Sequence, residues 1–242
     1  MSGCCWLVGA GPGDVRFLTQ EVRDCLGRAE VLVYDALVDE RVLDLVPPSC
    51  ERLDVGKRGG GRDTPQTEIN RLLVERTRQS AQVVRLKAGD PFIFGRAASE
   101  MEALREAGCR FHVLAGLSSA LAAPLLAGIP LTDPVLSRGF GCFTAHDPDA
   151  LDWETLAHLD TLVLLMGGRQ LPELVQQLIQ HGCSGETPVA IIRWAGQPEQ
   201  RIWSAPLGRI LAATAGEELA PCVIVVGEVV RLREYWHAPT DD

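Results

Sequence analysis

The stretch Leu7 to Asp14, LVGAGPGD, follows a short apolar run and precedes a helical pattern, and the next apolar run ends in Tyr34-Asp35. A glycine-rich turn after a first strand, with an acid closing the second, is how dinucleotide folds hold a pyrophosphate and a ribose. Two residues count against that use here. The third glycine of the fingerprint would fall at position 14, where Asp14 would repel a phosphate on a helix N-terminus, and Pro12 removes a backbone donor from the loop. An adenosine ligand without phosphates tolerates both, and a tight turn with no ligand contact is the plain alternative. A P-loop fits no better, because Val55-Gly56-Lys57-Arg58 lacks the following Ser/Thr and the upstream glycine. Of the 23 cationic residues only Lys57 and Lys87 are lysine, and both adjoin glycine loops. In a chain that otherwise uses arginine, lysine suits a place where burial must shift a pKa, with chance survival as the other explanation.

The elements that must position these residues alternate in the first half, as a parallel sheet with crossover helices requires. Strands are predicted at Cys5 to Val8, Glu30 to Tyr34, Arg52 to Val55, Gln82 to Leu86 and Phe111 to Leu114. Thr19 is predicted to cap a helix that buries Val22, Cys25, Leu26 and Ala29. A short helix is expected from Arg41 to Val46, and another after Thr64, with Pro65 at its first position and Ile69, Leu72 and Leu73 buried. A further helix is expected from Ser99 to Ala107. Past Gly116, strands are predicted at Gly141 to Ala145, Thr161 to Met166, Pro188 to Trp194 and Cys222 to Val226, with helices at Leu171 to Gln180 and Leu207 to Ala215. The second half is therefore expected to repeat the architecture, with two α/β domains, 1–117 and 118–242, and a ligand cleft between them.

A formal charge of -9 argues against a general nucleic-acid surface and requires any anionic substrate to meet a local arginine cluster. The eight cysteines are scattered without a CxxC pair or a zinc-like Cys/His spacing, so free thiols in a reducing cytosol are expected and no metal site. No secretory signal is indicated at the N-terminus. Val113 to Leu131 carries no charge, but its prolines, glycines and serines suit a buried loop and helix near the domain junction better than a membrane span.

Taken together, GAGPGD (Gly9 to Asp14), VYDALV (Val33 to Val38), VGKRGG (Val55 to Gly60) and VVRLKAGDPFIFGR (Val83 to Arg96) resemble the uroporphyrinogen-III C-methyltransferases. GIPLT (Gly128 to Thr132), LMGG (Leu165 to Gly168) and VIVVGEVVRLR (Val223 to Arg233) extend the likeness over almost the whole chain. These enzymes are tetrapyrrole methylases, so the resemblance implies two αβα domains, a homodimer, a cytoplasmic setting without membrane or nucleic-acid partners, and S-adenosylmethionine as methyl donor with S-adenosylhomocysteine as product. Mapped through the motifs, Pro12, Ala88, Gly89, Asp90, Ile93, Ser118, Ser119, Met166 and Ala195 fall on cofactor-binding positions. Asp35 and Lys57 stand where the family's proton acceptor and proton donor lie. The chain departs from the family where Ala88 replaces the first glycine of a Gly-Gly-Asp loop and Ala115-Gly116 replaces Pro-Gly. Thr132-Asp133-Pro134 replaces Thr-His-Arg, which removes an arginine often offered to the substrate.

The implied reaction methylates two pyrrole carbons of uroporphyrinogen III to give precorrin-2, toward sirohaem or cobalamin, with methylation of a later corrin intermediate as the alternative. The nucleophile is an electron-rich pyrrole carbon, so the protein supplies alignment and a base rather than a covalent nucleophile. Asp35, at the carboxyl end of a predicted strand, is placed to be that base, although such a residue taken alone reads as a turn or capping aspartate. The substrate's carboxylates call for arginine forks. Arg96 is the first candidate, followed by Arg58 and Arg62 around the Gly59-Gly60-Gly61 loop and by Arg138.

Overall fold

In the computed structural model, which describes residues 3–56 and 64–236, the apolar runs of the first half become strands. They are β1 (Cys4–Gly9), β2 (Val31–Tyr34), β3 (Glu51–Asp54), β4 (Gln82–Lys87) and β5 (Arg110–Leu114). They lie in the order β3-β2-β4-β1-β5, every neighbouring pair parallel. Parallel neighbours need crossovers, supplied by α1 (Gln20–Leu26), α2 (Glu40–Leu43), α3 (Gln66–Gln79) and α4 (Ala97–Glu106). Alternation along each strand feeds two cores. Val8, Leu32, Val84 and Leu86 pack with Val22, Leu26 and Val42 on one face. Leu7, Val33 and Val83 pack with Leu73, Ala97 and Leu104 on the other. Each such fully buried Val or Leu contributes about 1.5–3 kcal/mol of burial free energy, so the central strands are the rigid part of this unit.

The chain divides between Ser118 and Ser119 into two compact units. The second contains α5 (Ser119–Leu126), β6 (Phe140–Thr144), α6 (Trp153–Leu156), β7 (Thr161–Leu165), α7 (Leu171–Gln180), β8 (Pro188–Arg193), β9 (Arg201–Pro206), α8 (Ile210–Ala213), β10 (Cys222–Gly227) and α9 (Leu232–Trp236). Its strands run in the order β6-β7-β10-β8-β9. The α/β architecture is repeated here, but the all-parallel sheet is not. Only β6 and β7 are parallel, β10 runs antiparallel to both β7 and β8, and β8 turns back into β9 as a hairpin. Both faces of this sheet are nevertheless covered by apolar side chains, which keeps the unit within the α/β class.

Local expectations are also corrected. Thr19 does cap α1, its hydroxyl accepting from the Val22 N–H, but Pro65 occupies the cap position of α3 instead of its first turn, with no side-chain cap there. The helix expected from Leu207 to Ala215 is a three-residue 3-10 turn followed by the short α8. The uncharged segment is not uniformly buried: Ala120, Ala122 and Ala123 face inward while Leu117, Leu121 and Leu125 are exposed. No described helix is long and apolar enough to cross a membrane. All eight cysteines are free thiols, and burial pushes those of Cys5 and Cys222 up to about 12.

Candidate functional site

Three glycines bring the ends of β1, β4 and β5 into backbone contact. A Cβ on Gly9 would lie 2.6 Å from the Gly116 Cα and from the Gly89 carbonyl oxygen, and one on Gly116 would lie 2.2 Å from that same oxygen. Gly11 and Gly89, both left-handed at φ 71° and 72°, exchange backbone hydrogen bonds of 3.1 and 2.9 Å, and Ala10 donates to the Lys87 carbonyl at 2.8 Å. The loop carrying Pro12 is thereby stitched to the loop carrying Ala88, Gly89 and Asp90. The Asp90 carboxylate accepts from the Phe92 N–H at 2.8 Å and reaches the Gly116 N–H at 3.4 Å, which ties in the third loop.

Asp14, which stands where a dinucleotide loop has its third glycine, caps the turn that follows this junction. Its carboxylate accepts from the Arg16 backbone and guanidinium and from Arg41 Nη1, and these bonds, that of the Arg16 N–H foremost, hold its carboxyl below the usual range. The chain after the glycine turn forms only a three-residue 3-10 turn, and α1 starts at Gln20 with Thr19 already bonded to one of its free N–H groups. The glycine turn therefore leads into a single 3-10 turn that Asp14 already caps, and not directly into the α-helix N-terminus that holds a dinucleotide phosphate.

Beyond Asp90, Ile93 is exposed, Phe94 and Arg96 are left-handed at φ 55° and 57°, and Arg96 is an exposed residue at the start of α4. Two left-handed non-glycine residues within three positions mark a backbone held against its own preference, a feature that concentrates at ligand sites.

Asp35 follows β2 directly, and its N–H donates to the Leu86 carbonyl of β4 at 3.2 Å. Its carboxylate Oδ1 accepts from Arg85 Nη2. The Arg85 guanidinium is gripped at all three nitrogens, since Nε donates to Glu100 Oε1 at 2.9 Å and Nη1 to the Leu86 carbonyl at 3.2 Å. Lys87 Nζ donates to the same Glu100 Oε1 at 2.8 Å. Arg85, Lys87 and Glu100 are buried, whereas the Asp35 side chain keeps 33% of its surface open. The result is a chain of alternating charge with two acids and two cations, open to solvent at the Asp35 end. Burial alone would lower the Arg85 guanidinium, but Asp35 and Glu100 hold it above its ordinary range. Burial and the neighbouring Arg85 push the Lys87 ammonium below its own, against the pull of Glu100 and Asp35.

In the second unit, Met166 follows β7 in the left-handed region at φ 59°, half exposed, with Thr144 Oγ1 4.0 Å from its sulfur. Ala195 is buried beside Trp194, itself left-handed at φ 50°. Gln200 accepts from the Gly196 N–H at 2.9 Å and donates to the Leu126 carbonyl at 3.4 Å, so this loop is tied to the end of α5. Arg138 is exposed, its N–H bonded to Asp160. Asp133 organises a turn by accepting from the N–H groups of Val135 and Leu136.

The structure thus brings Pro12, Ala88, Gly89 and Asp90 together at one end of the first sheet. Ser118 is the last residue of the first unit and Ser119 opens α5. Lys57, Arg58 and Arg62 lie outside the described residues. No group of three or more His, Cys, Asp or Glu side chains able to hold a metal occurs among the described residues. Sequence reasoning missed Arg85 and Glu100 and treated Lys87 as ambiguous. The signal was present. In VVRLK the two cations occupy the same alternating positions as Val83, and Glu100 sits on the stripe formed by Ala97 and Leu104, so each charge stands where an apolar residue belongs.

A family model described as tetrapyrrole (corrin/porphyrin) methylases matches residues 5–211. The chain is 60% identical to the uroporphyrinogen-III C-methyltransferase of Synechococcus elongatus, over 98% of this chain and 97% of that one. It is 40% identical to the S-adenosyl-L-methionine-dependent uroporphyrinogen III methyltransferase of Methanosarcina barkeri, over 96% and 94%. Among solved structures, the uroporphyrin-III C-methyltransferase of Thermus thermophilus complexed with S-adenosylhomocysteine superposes with a TM-score of 0.83 at 37% identity, covering 95% of this chain and 100% of that one.

Proposed function

Because the chain belongs to the tetrapyrrole (corrin/porphyrin) methylases, we propose that it methylates two pyrrole carbons of uroporphyrinogen III with S-adenosylmethionine to give precorrin-2, for sirohaem or cobalamin synthesis. The observation that carries this reading is the 60% identity, end to end, with an enzyme of that name. The bound donor supplies a methyl group made electrophilic by its sulfonium, and departs as S-adenosylhomocysteine.

The glycine junction fits such a donor. Its backbones meet with no side-chain bulk, and its charged side chain, Asp90, is an acid with lone pairs to spare for hydroxyl or ammonium donors. Pro12, Ala88, Gly89, Asp90, Ile93, Ser118, Ser119, Met166 and Ala195 are the residues assigned to the donor. Arg96 holds substrate carboxylates, joined by Arg58, Arg62 and Arg138. Asp35 accepts the proton released as the methylated ring rearranges. Its Oδ1 is held by Arg85 and its carboxylate is partly open, so Oδ2 is the oxygen that takes the proton. Lys57 serves as the proton donor. The enzyme works in the cytoplasm as a homodimer. The exposed apolar face of Leu121, Leu125, Phe140 and Trp236 is of the kind that a second copy covers.

The test is an anaerobic assay of the purified protein with S-adenosylmethionine and uroporphyrinogen III, read by mass. Two added methyl groups are expected. Unmodified substrate beside a protein that still binds S-adenosylhomocysteine would overturn the substrate and leave the fold and donor standing.

A further inference from the structure

A structural carboxylate buried as deeply as Glu100 is expected to use both of its oxygens. Here Oε1 takes three donors, Arg85 Nε at 2.9 Å, Lys87 Nζ at 2.8 Å and Gln66 Nε2 at 3.4 Å, while Oε2 has no hydrogen-bond partner among the described residues. An orphaned buried oxygen is a standing free-energy penalty, and native structures keep few of them. A buried ion network is also weak evidence of stability, since well-packed apolar side chains of similar volume would serve as well or better. The arrangement therefore calls for another reason to exist.

Geometry supplies one. Arg85 and Lys87 stand two residues apart on β4, so both side chains leave the same face of the sheet, toward α4. Glu100 lies one turn into α4 and meets both. Its single oxygen pulls on the Nε edge of the guanidinium while the Leu86 carbonyl holds Nη1, which leaves Nη2 aimed at Asp35 Oδ1. Asp35 is at the end of a strand and partly open, so without that fork its carboxylate would have rotational freedom about its own side-chain bonds.

We propose that Glu100 is a positioning residue, which acts through Arg85 to fix the Asp35 carboxylate in the orientation that accepts the proton. This rests on the reading of Asp35 as the proton acceptor. Lys87 balances the second charge and keeps Oε1 occupied from the far side.

The test compares four proteins in the methylation assay: wild type, Asp35→Asn, Glu100→Gln, and the double variant. Asp35→Asn should lower kcat by about 100-fold or more, as loss of a general base does. Glu100→Gln should lower kcat by about tenfold while the KM for uroporphyrinogen III and the Kd for S-adenosylmethionine stay within about twofold, because the interaction lost serves the reacting step and not binding. In the Asp35→Asn background, Glu100→Gln should lower kcat by less than about twofold, since residues that act as one unit are not additive. Losses that multiply, or a Glu100→Gln protein with wild-type kcat, overturn the positioning role alone. An Asp35→Asn protein with wild-type kcat overturns the base assignment, and the positioning role with it. Should Glu100→Gln fail to fold by circular dichroism, Glu100→Asp keeps the charge and withdraws the oxygen by one methylene. The same tenfold loss, about 1.4 kcal/mol, is expected there, and wild-type kcat would overturn the proposal.

Discussion

A Cβ on Gly116 would stand 2.2 Å from the Gly89 carbonyl oxygen, and both are backbone, so neither partner can swing away. Gly116→Ala should therefore separate the loops after β4 and β5, weakening S-adenosylmethionine binding more than about tenfold and destabilising the fold by about 1–3 kcal/mol, the usual range for overpacking. Calorimetric titration and urea unfolding measure the two effects, and unchanged affinity would remove the junction from the donor site. Asp14 gives a pH-dependent counterpart. Its carboxyl is held below its unfolded value, so its bonds to Arg16 and Arg41 contribute stability above about pH 4 and lose it as pH falls through the lower folded value. The Tm of Asp14→Asn should fall below wild type at pH 7, and the gap should narrow progressively as pH falls below about 4; a gap that does not change with pH would show that charge is irrelevant there. These residues were partly legible in the sequence. Asp14 is foreign to a dinucleotide loop and its cap on the Arg16 N–H is local, but its bond to Arg41, 27 positions away, has no local pattern to announce it.

At the scale of the element, β4 carries the most consequence per residue. Val84 and Leu86 face one core while Val83, Arg85 and Lys87 face the other, so the strand buries two cations in the layer covered by α3 and α4. Lys87→Met would leave the acids Asp35 and Glu100 with Arg85 as their one partner in the network. Removing one member of a buried ion network costs about 3–5 kcal/mol, and urea unfolding should report that loss for Lys87→Met. Adding Glu100→Gln should restore much of it, because the uncompensated charge is then gone; a further loss in the double variant would mean that Glu100 is held by something other than the two cations. The positions of every described strand but β9 were readable to within a residue or two, because short runs bounded by turns mark them. Their direction was not. TLVLL, PVAIIR and CVIVVG are continuous apolar runs, and a strand buried on both faces reads alike whether its neighbours run with it or against it. The missed strand β9, RIWSAP, begins with an exposed arginine and ends in proline at the edge of its sheet, where the chain has little apolar pattern to display.

At the scale of the whole molecule, the homodimer reading makes its own prediction. Leu125 is 76% exposed, and Leu121, Phe140 and Trp236 join it around a groove of about 590 Å³. Light scattering should give twice the chain mass for wild type, and Leu125→Glu should shift the protein toward the monomer. A monomeric wild type would remove the reading. What the sequence hid at this scale was the difference between the two units, since the turn that makes β8 and β9 a hairpin, residues 194–200, carries few of the short-turn signals. That difference bears on synthesis. The first sheet has all its strands once the ribosome has passed Leu114, with β4 at its centre between β2 and β1. The second places β10, the last of its own strands to be translated, between β7 and β8. Its sheet therefore waits with a vacant middle lane until Gly227 has cleared the exit tunnel, and the apolar edges of β7 and β8 are the surfaces a chaperone would find open in the interval.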